Sequence, residues 1–257
     1  GHVRIYENIS GSWIQVGQDI EGEAANDNSG WSVSLSSDGS IVAIGAINND
    51  GNGSGSGHVR IYENIGGSWS QLGQDIDGEA YSDQFGYSVS LSSDGSIVAI
   101  GARLNDGNGS NAGHVRIYEN ISGSWTQVGQ DIDGEVANDW SGYSVSLSSD
   151  GNIVAIGAPG GYAGSVTIYE NIGGAWTQVG QDIDGEAAGD YSGYSVSLSS
   201  DGEIIAIGAM RNYGNAFESG HVCIYENISG SWTQIAQDID GEYQGDLSGH
   251  SVSLTSN

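Results

Sequence analysis

Gly57-His58-Val59-Arg60-Ile61-Tyr62-Glu63-Asn64 also opens the chain at Gly1, recurs at Gly113, stands altered at Gly164 and returns at Gly220. The steps between copies are 56, 56, 51 and 56 residues. Self-similarity at such a fixed spacing marks a repeat architecture. Each unit continues with a Trp segment (Ser12-Trp13, Ser68-Trp69, Ser124-Trp125, Ala175-Trp176, Ser231-Trp232), an acidic linker, a Ser-Val-Ser-Leu segment and an apolar segment of the type Ile-Val-Ala-Ile-Gly-Ala.

Period and punctuation turn these segments into strands. In Ser32-Val33-Ser34-Leu35 apolar and small polar residues alternate, and in the Gly-His-Val phrase Val3 and Ile5 face away from Arg4 and Tyr6. Ile41 to Ala46 is apolar on both faces, as a strand covered on both sides should be. Asp38-Gly39 and Ser10-Gly11 supply tight turns. No sustained helical period occurs. Two hairpins per unit, repeated, predict an all-β fold: a five-bladed β-propeller of four-stranded antiparallel blades, forming a single domain over 1–257. The 51-residue step locates a deletion, because the loop after Gly-Ala holds ten residues at 47–56, 103–112 and 210–219 but five at 159–163.

Asp83-Gln84-Phe85-Gly86-Tyr87-Ser88-Val89, followed by Gly-Ala and then Gly-His-Val-Arg-Ile-Tyr, resembles the FG-GAP repeat of integrin-α-type β-propellers and of secreted bacterial and algal proteins. The likeness runs the length of the chain, although only Phe85-Gly86 and Gly157-Ala158-Pro159 keep the name-giving residues. It implies that Ser-Val-Ser-Leu is innermost and the Trp strand outermost. One blade is then incomplete, with 19 strands in place of 20. The expectation is that the natural chain runs on beyond Asn257 or that another chain donates the strand. The resemblance also implies a calcium loop between first and second strands, but there the sequence offers only Ser36-Ser37-Asp38-Gly39-Ser40, a single carboxylate.

The 257 residues carry 33 acidic and 5 basic side chains, a formal charge of −28. Phosphate binding needs clustered cations, so nucleic acid and anionic membrane surfaces are excluded as partners. No apolar run is long enough to span a bilayer, and the one cysteine, Cys223, forms no internal disulfide. Twenty of the acids fall in the five linkers, as at Asp19, Glu21, Glu23 and Asp27. They suit either a cation-attracting ring, with Ca²⁺ as the ion, or turn formers that bond nearby backbone N–H groups. Asp50, Asn52, Asp106 and Asn108, in loops where oxygen-bearing side chains alternate with glycine, are the local calcium candidates, and they too suit ordinary loops.

Departures from repetition mark candidate ligand loops: Trp31, Trp140, Tyr162, Arg211, Tyr213 and Phe217, with Arg103 beside them. The recurrent histidines His2, His58, His114 and His221, one per blade, read as packing residues. The outer-strand tryptophans read as inter-blade core. Asn8, Asn52, Asn108, Asn120 and Asn227 lie in Asn-x-Ser sequons, all expected in turns and open to glycans in a secreted protein.

Near-identical blades supply like groups, whereas catalysis needs unlike ones around a centre. No nucleophile elbow, phosphate loop, zinc spacing or Cys/His nucleophile context stands in the sequence, so no catalytic residue is named. The expectation is a secreted or cell-surface, non-catalytic propeller that recognises a glycan or protein ligand. The alternative is a structural subunit of a surface fibre or matrix that binds neighbouring copies of itself.

Overall fold

The computed structural model describes residues 1–255 and contains no helix among them. Four sheets repeat along the chain. The first orders Ser29–Leu35, Ile41–Ala46, His58–Ile65 and Ser68–Gln71 as antiparallel neighbours. The second, from Ser88–Leu91 to Ser124–Gln127, the third, from Ser144–Leu147 to Ala175–Gln178, and the fourth, from Ser192–Leu198 to Ser231–Gln234, have the same order. A short strand in the acidic linker, Ile76–Asp77 in the first sheet, adds a fifth member by pairing with the N-terminal half of the third strand. The sequence reading missed it. The isoleucine of that linker, 4% exposed at Ile76 and Ile132, anchors it in the core.

Alternation sets the packing. Val59 and Ile61 point into the core at 0% and 1% exposure, and Val98 and Ile100 of the next sheet pack in the same cluster. Successive sheets stack face to face in a propeller-like arrangement, with the innermost strands in register: Leu91 N donates to Ser34 Oγ at 2.9 Å, Leu147 N to Ser90 Oγ at 3.0 Å and Leu198 N to Ser146 Oγ at 3.0 Å. Each buried outer tryptophan joins neighbours. Trp125 Nε1 donates to Leu72 O at 2.8 Å, and Trp176 Nε1 to Val128 O at 2.9 Å.

Four of the five expected blades are complete sheets, and the strands of the fifth do not join one sheet. His2–Val3 pairs with Ile20–Glu21, and Tyr6–Ile9 pairs with Ser12–Gln15, as separate two-stranded pieces. The innermost strand expected at Ser251 to Leu254 is not formed, because no second strand lies beside it, although Leu254 N still donates to Ser197 Oγ at 3.0 Å. Trp13 departs from the core role assigned to its class: it is 70% exposed, against 4% for Trp69, Trp125, Trp176 and Trp232, since no preceding sheet covers it.

Candidate functional site

The third strand carries the chemistry, because its residues at i and i+2 face the same linker. In the first sheet Arg60 donates from Nε to Asp75 Oδ1 at 2.9 Å and from Nη2 to Asp75 Oδ2 at 2.7 Å, and its Nη2 also meets Glu23. Arg116 of the second sheet holds Asp131 and Glu79 in the same way. Such a forked guanidinium offsets one of the two carboxylate charges and ties both carboxylates to one cation. These arginines hold the Asp75 and Asp131 carboxyls below the usual range; at Asp131 burial, pushing upward, is the larger influence but is outweighed.

The third sheet breaks this pattern. Thr167 stands where the first two sheets have Arg and Ser165 where the other sheets have His, and the loop over the site is the shortened 159–163. A cavity of about 380 Å³ opens there, lined by Glu135, Asp139, Asp182, Asp184 and Tyr162. Repulsion from Asp182 is the main force raising the Glu135 carboxyl above its ordinary pKa, with burial next. A carboxyl whose pKa is raised, set beside a second carboxyl in one cavity, is a pairing that acid–base chemistry can use. The short loop is possible because residue 160 is glycine; a Cβ there would overlap the carbonyl of Asn138.

Across the loop lies a second hollow of about 200 Å³, lined by Trp140, Pro159, Tyr162 and Tyr191 among others. Trp140 and Tyr191 both take left-handed backbone, at φ 59°. That conformation costs an L-residue roughly 1–2 kcal/mol, and here it is held by two bulky aromatics. Arg103, its Nε bonded to Gln84 Oε1 at 3.0 Å, lies 4.3 Å over the Tyr87 ring and 5.9 Å from Trp140. Beyond it the aromatics at the start of the innermost strands form an arc: Trp31 to Tyr87 at 5.5 Å, Tyr87 to Tyr143 at 4.9 Å, Tyr143 to Tyr194 at 4.8 Å and Tyr194 to His250 at 5.0 Å. Burial, followed by hydrogen bonding to Tyr194 and Tyr87, pushes the Tyr143 phenol upward.

The structure therefore joins Trp140 and Tyr162 across one loop. Trp31 lies in the aromatic arc. Arg211 lies 4.9 Å over Tyr191, while Tyr213 and Phe217 form their own edge-to-face pair at 5.2 Å. Asp50 and Asp106 are loop braces: their Oδ1 atoms accept from Gly55 N at 2.8 Å and Asn111 N at 2.7 Å. Asn52 and Asn108 each donate from Nδ2 at 2.9 Å, to Gly78 O and Gly134 O. Asp27 and its equivalents bond backbone N–H groups three residues upstream, as at Asp83 to Ala80 N, 3.1 Å. Asn8, Asn120 and Asn227 are not in turns but near the ends of strands, where each Oδ1 accepts from the glycine three residues on. The Nδ2 of Asn120, the atom a glycan would join, is buried.

His58, His114 and His221 are buried at 3%, 1% and 4%, and His2 is exposed. The fourth sheet brings a cysteine and a histidine together, with burial pushing the Cys223 thiol upward and not activating it as a nucleophile. There Cys223 occupies the arginine position, with its Sγ 3.5 Å from His221 Nε2 and 3.2 Å from Asp238 Oδ1. His-x-Cys on one strand was the available signal, since i and i+2 share a face; Asp238 is supplied by the returning linker.

Residues 21–62 and 75–118 match the FG-GAP repeat family. The chain carries FG-GAP repeats. No curated protein matches the sequence. Among solved structures, the periplasmic gluconolactonase of Pseudomonas aeruginosa is similar at 16% identity and TM-score 0.62, over 94% of this chain and 65% of that one. A candidate 6-phosphogluconolactonase of Bacteroides fragilis is similar at 14% identity and TM-score 0.62, over 93% and 65%. A protein of unknown function from Desulfotomaculum acetoxidans is similar at 15% identity and TM-score 0.60, over 90% and 61%. Such identities establish a shared fold, and this FG-GAP repeat chain spans about 65% of the length of the first of them. The expectation of a non-catalytic adhesion propeller or matrix subunit is corrected here. Two of the structures that share the fold bear hydrolase names, and the third sheet departs from the repeat by leaving Glu135 and Asp182 in one open cavity without an arginine.

Proposed function

We propose that this FG-GAP repeat chain contributes a hydrolytic site for a small, uncharged sugar lactone, centred on Glu135 and Asp182. The observation that carries the reading is that these two carboxyls face a cavity of about 380 Å³ without the arginine that closes the equivalent places at Arg60 and Arg116. The names of the similarly folded lactonases support the substrate class, and the site chemistry supports the reaction. Asp182 takes a proton from water, whose oxygen forms a bond to the lactone carbonyl carbon. The ring C–O bond then breaks, and Glu135 delivers its proton to the departing ring oxygen. The product hydroxy acid ionises and is repelled by the surrounding carboxylates, which favours release. No cation lines this cavity among the described residues, which argues for an unphosphorylated substrate. Tyr162 and Trp140 offer the apolar faces on which sugar rings pack, and a sugar outside the cell fits the expected partner class.

The test is proton release from glucono-1,5-lactone above the spontaneous rate. Glu135→Gln and Asp182→Asn should each lower the catalysed rate by about 10²–10⁴-fold with the sheet spectrum unchanged. A wild-type rate equal to the buffer rate would reject the assignment. The finer architecture belongs to the same reading: we take the separated fifth set of strands as a fifth blade, supported by the Leu254–Ser197 bond that continues the inner-strand register.

A further inference from the structure

We propose that His221, Cys223 and Asp238 form a binding site for one zinc ion in the fourth sheet, with the charge of Glu186 beside them. The inference stands apart from the hydrolytic reading, since it concerns another sheet and other residues. Ligand atoms from His221, Cys223 and Asp238 lie within 4.8 Å of one another. The pair separations of 3.5 Å from sulfur to imidazole nitrogen and 3.2 Å from sulfur to carboxylate oxygen suit a tetrahedral zinc centre, whose bond lengths place neighbouring ligands roughly 3.5 Å apart. The nearest approach of His221 to Asp238 is through the other ring nitrogen, Nδ1 to Oδ2 at 3.9 Å, so the imidazole must turn to present one nitrogen to the shared centre.

The comparison between sheets says why a cation belongs there. Asp238 and Glu186 hold the positions of Asp75 with Glu23 and of Asp131 with Glu79, where a guanidinium reaches both carboxylates. In the fourth sheet a shorter neutral side chain replaces that guanidinium, and no Arg, Lys or other strong cation meets Asp238 among the described residues. Asn212 Nδ2 lies 3.4 Å from Glu186 Oε2, and Gln234 Nε2 donates to Asp238 Oδ1, the oxygen that also meets Cys223, so both carboxylates are fixed by neighbouring amides. Outer partners of this kind orient metal ligands. The donor set discriminates among ions. Thiolate and imidazole select zinc over calcium or magnesium, which take oxygen ligands. Burial of His221 at 4% and Cys223 at 7% shields the centre from water. Binding converts the thiol to a thiolate, and its proton leaves to solvent, so affinity should rise with pH.

The experiment compares wild-type chain with Cys223→Arg, which restores the residue of the first and second sheets and so should pair with Asp238 as Arg60 does with Asp75. After dialysis against zinc and gel filtration, elemental analysis should find one zinc per wild-type chain that the variant lacks. Cobalt(II) should give the wild type, and not the variant, a thiolate-to-metal charge-transfer band in the near ultraviolet. Cys223→Ser, nearly isosteric, should abolish that band and weaken zinc at least tenfold even if the arginine variant folds poorly. Equal zinc content in wild type and both variants, or cobalt bound without the thiolate band, would overturn the proposal.

Discussion

Gly101 of the second sheet lies directly beneath the carbonyl of Gly142, the residue that opens the inner strand of the third: a Cβ on Gly101 would overlap that oxygen, to which Ser88 Oγ already donates at 2.7 Å. The same contact recurs at Gly45 with Gly86, Gly157 with Gly193 and Gly208 with Gly249. The two glycines that define the repeat thus interlock from sheet to sheet.

Gly101→Ala should therefore destabilise the chain by about 2–3 kcal/mol, since backbone and not a flexible side chain must yield. Urea unfolding followed by tryptophan fluorescence measures it. A change of a few tenths of a kcal/mol would show that the sheets slide apart freely.

Trp125→Ala should cost about 3–5 kcal/mol, for it removes a side chain that is 4% exposed together with its bond to Leu72 O. Trp13→Ala, at a residue 70% exposed, should stay within about 0.5 kcal/mol. Thermal unfolding of the two variants side by side would reveal comparable losses if the first repeat were packed like the others.

Thr167→Arg would give the third sheet the residue of its neighbours. The new guanidinium should bridge Asp182 and Glu135, fill the cavity and draw the Glu135 carboxyl back down. Lactone hydrolysis should fall at least 10²-fold, while stability moves by no more than about 1 kcal/mol. Full activity in a folded Thr167→Arg chain would place the chemistry elsewhere.

Burial, followed by repulsion from Arg116, pushes the His114 imidazole down to about 4. The unfolded chain takes up this proton near pH 6.5 and the folded chain only near pH 4, so the histidine favours unfolding progressively as pH falls through that window and not above it. His58 acts in the same direction. His114→Gln should flatten the loss relative to wild type by up to about 3 kcal/mol at pH 4. Denaturant midpoints at pH 7 and pH 4.5 in both chains check this, and the comparison cancels the relief of global repulsion as the −28 charge is titrated. Parallel losses in both would refute it.

The sequence by itself determined the repeat, the four main strands of each of the four complete sheets and the turns between them. Alternation of side chains and glycine-bearing turns act locally, within about ten residues. It also marked the places where repetition fails, at the short loop 159–163 and around Trp140 and Tyr162. It did not disclose the Ile76–Asp77 strand, because a two-residue pairing hidden in an acidic linker has no period to read. Nor did it disclose the two sites. Glu135 enters from the linker before the third sheet and Asp182 from the linker after it, while Cys223 meets Asp238 only because a strand and its returning linker lie side by side. Only the tertiary structure decided which carboxylates keep an arginine partner and which do not, since charge neutralisation depends on distance in space between segments that the chain separates.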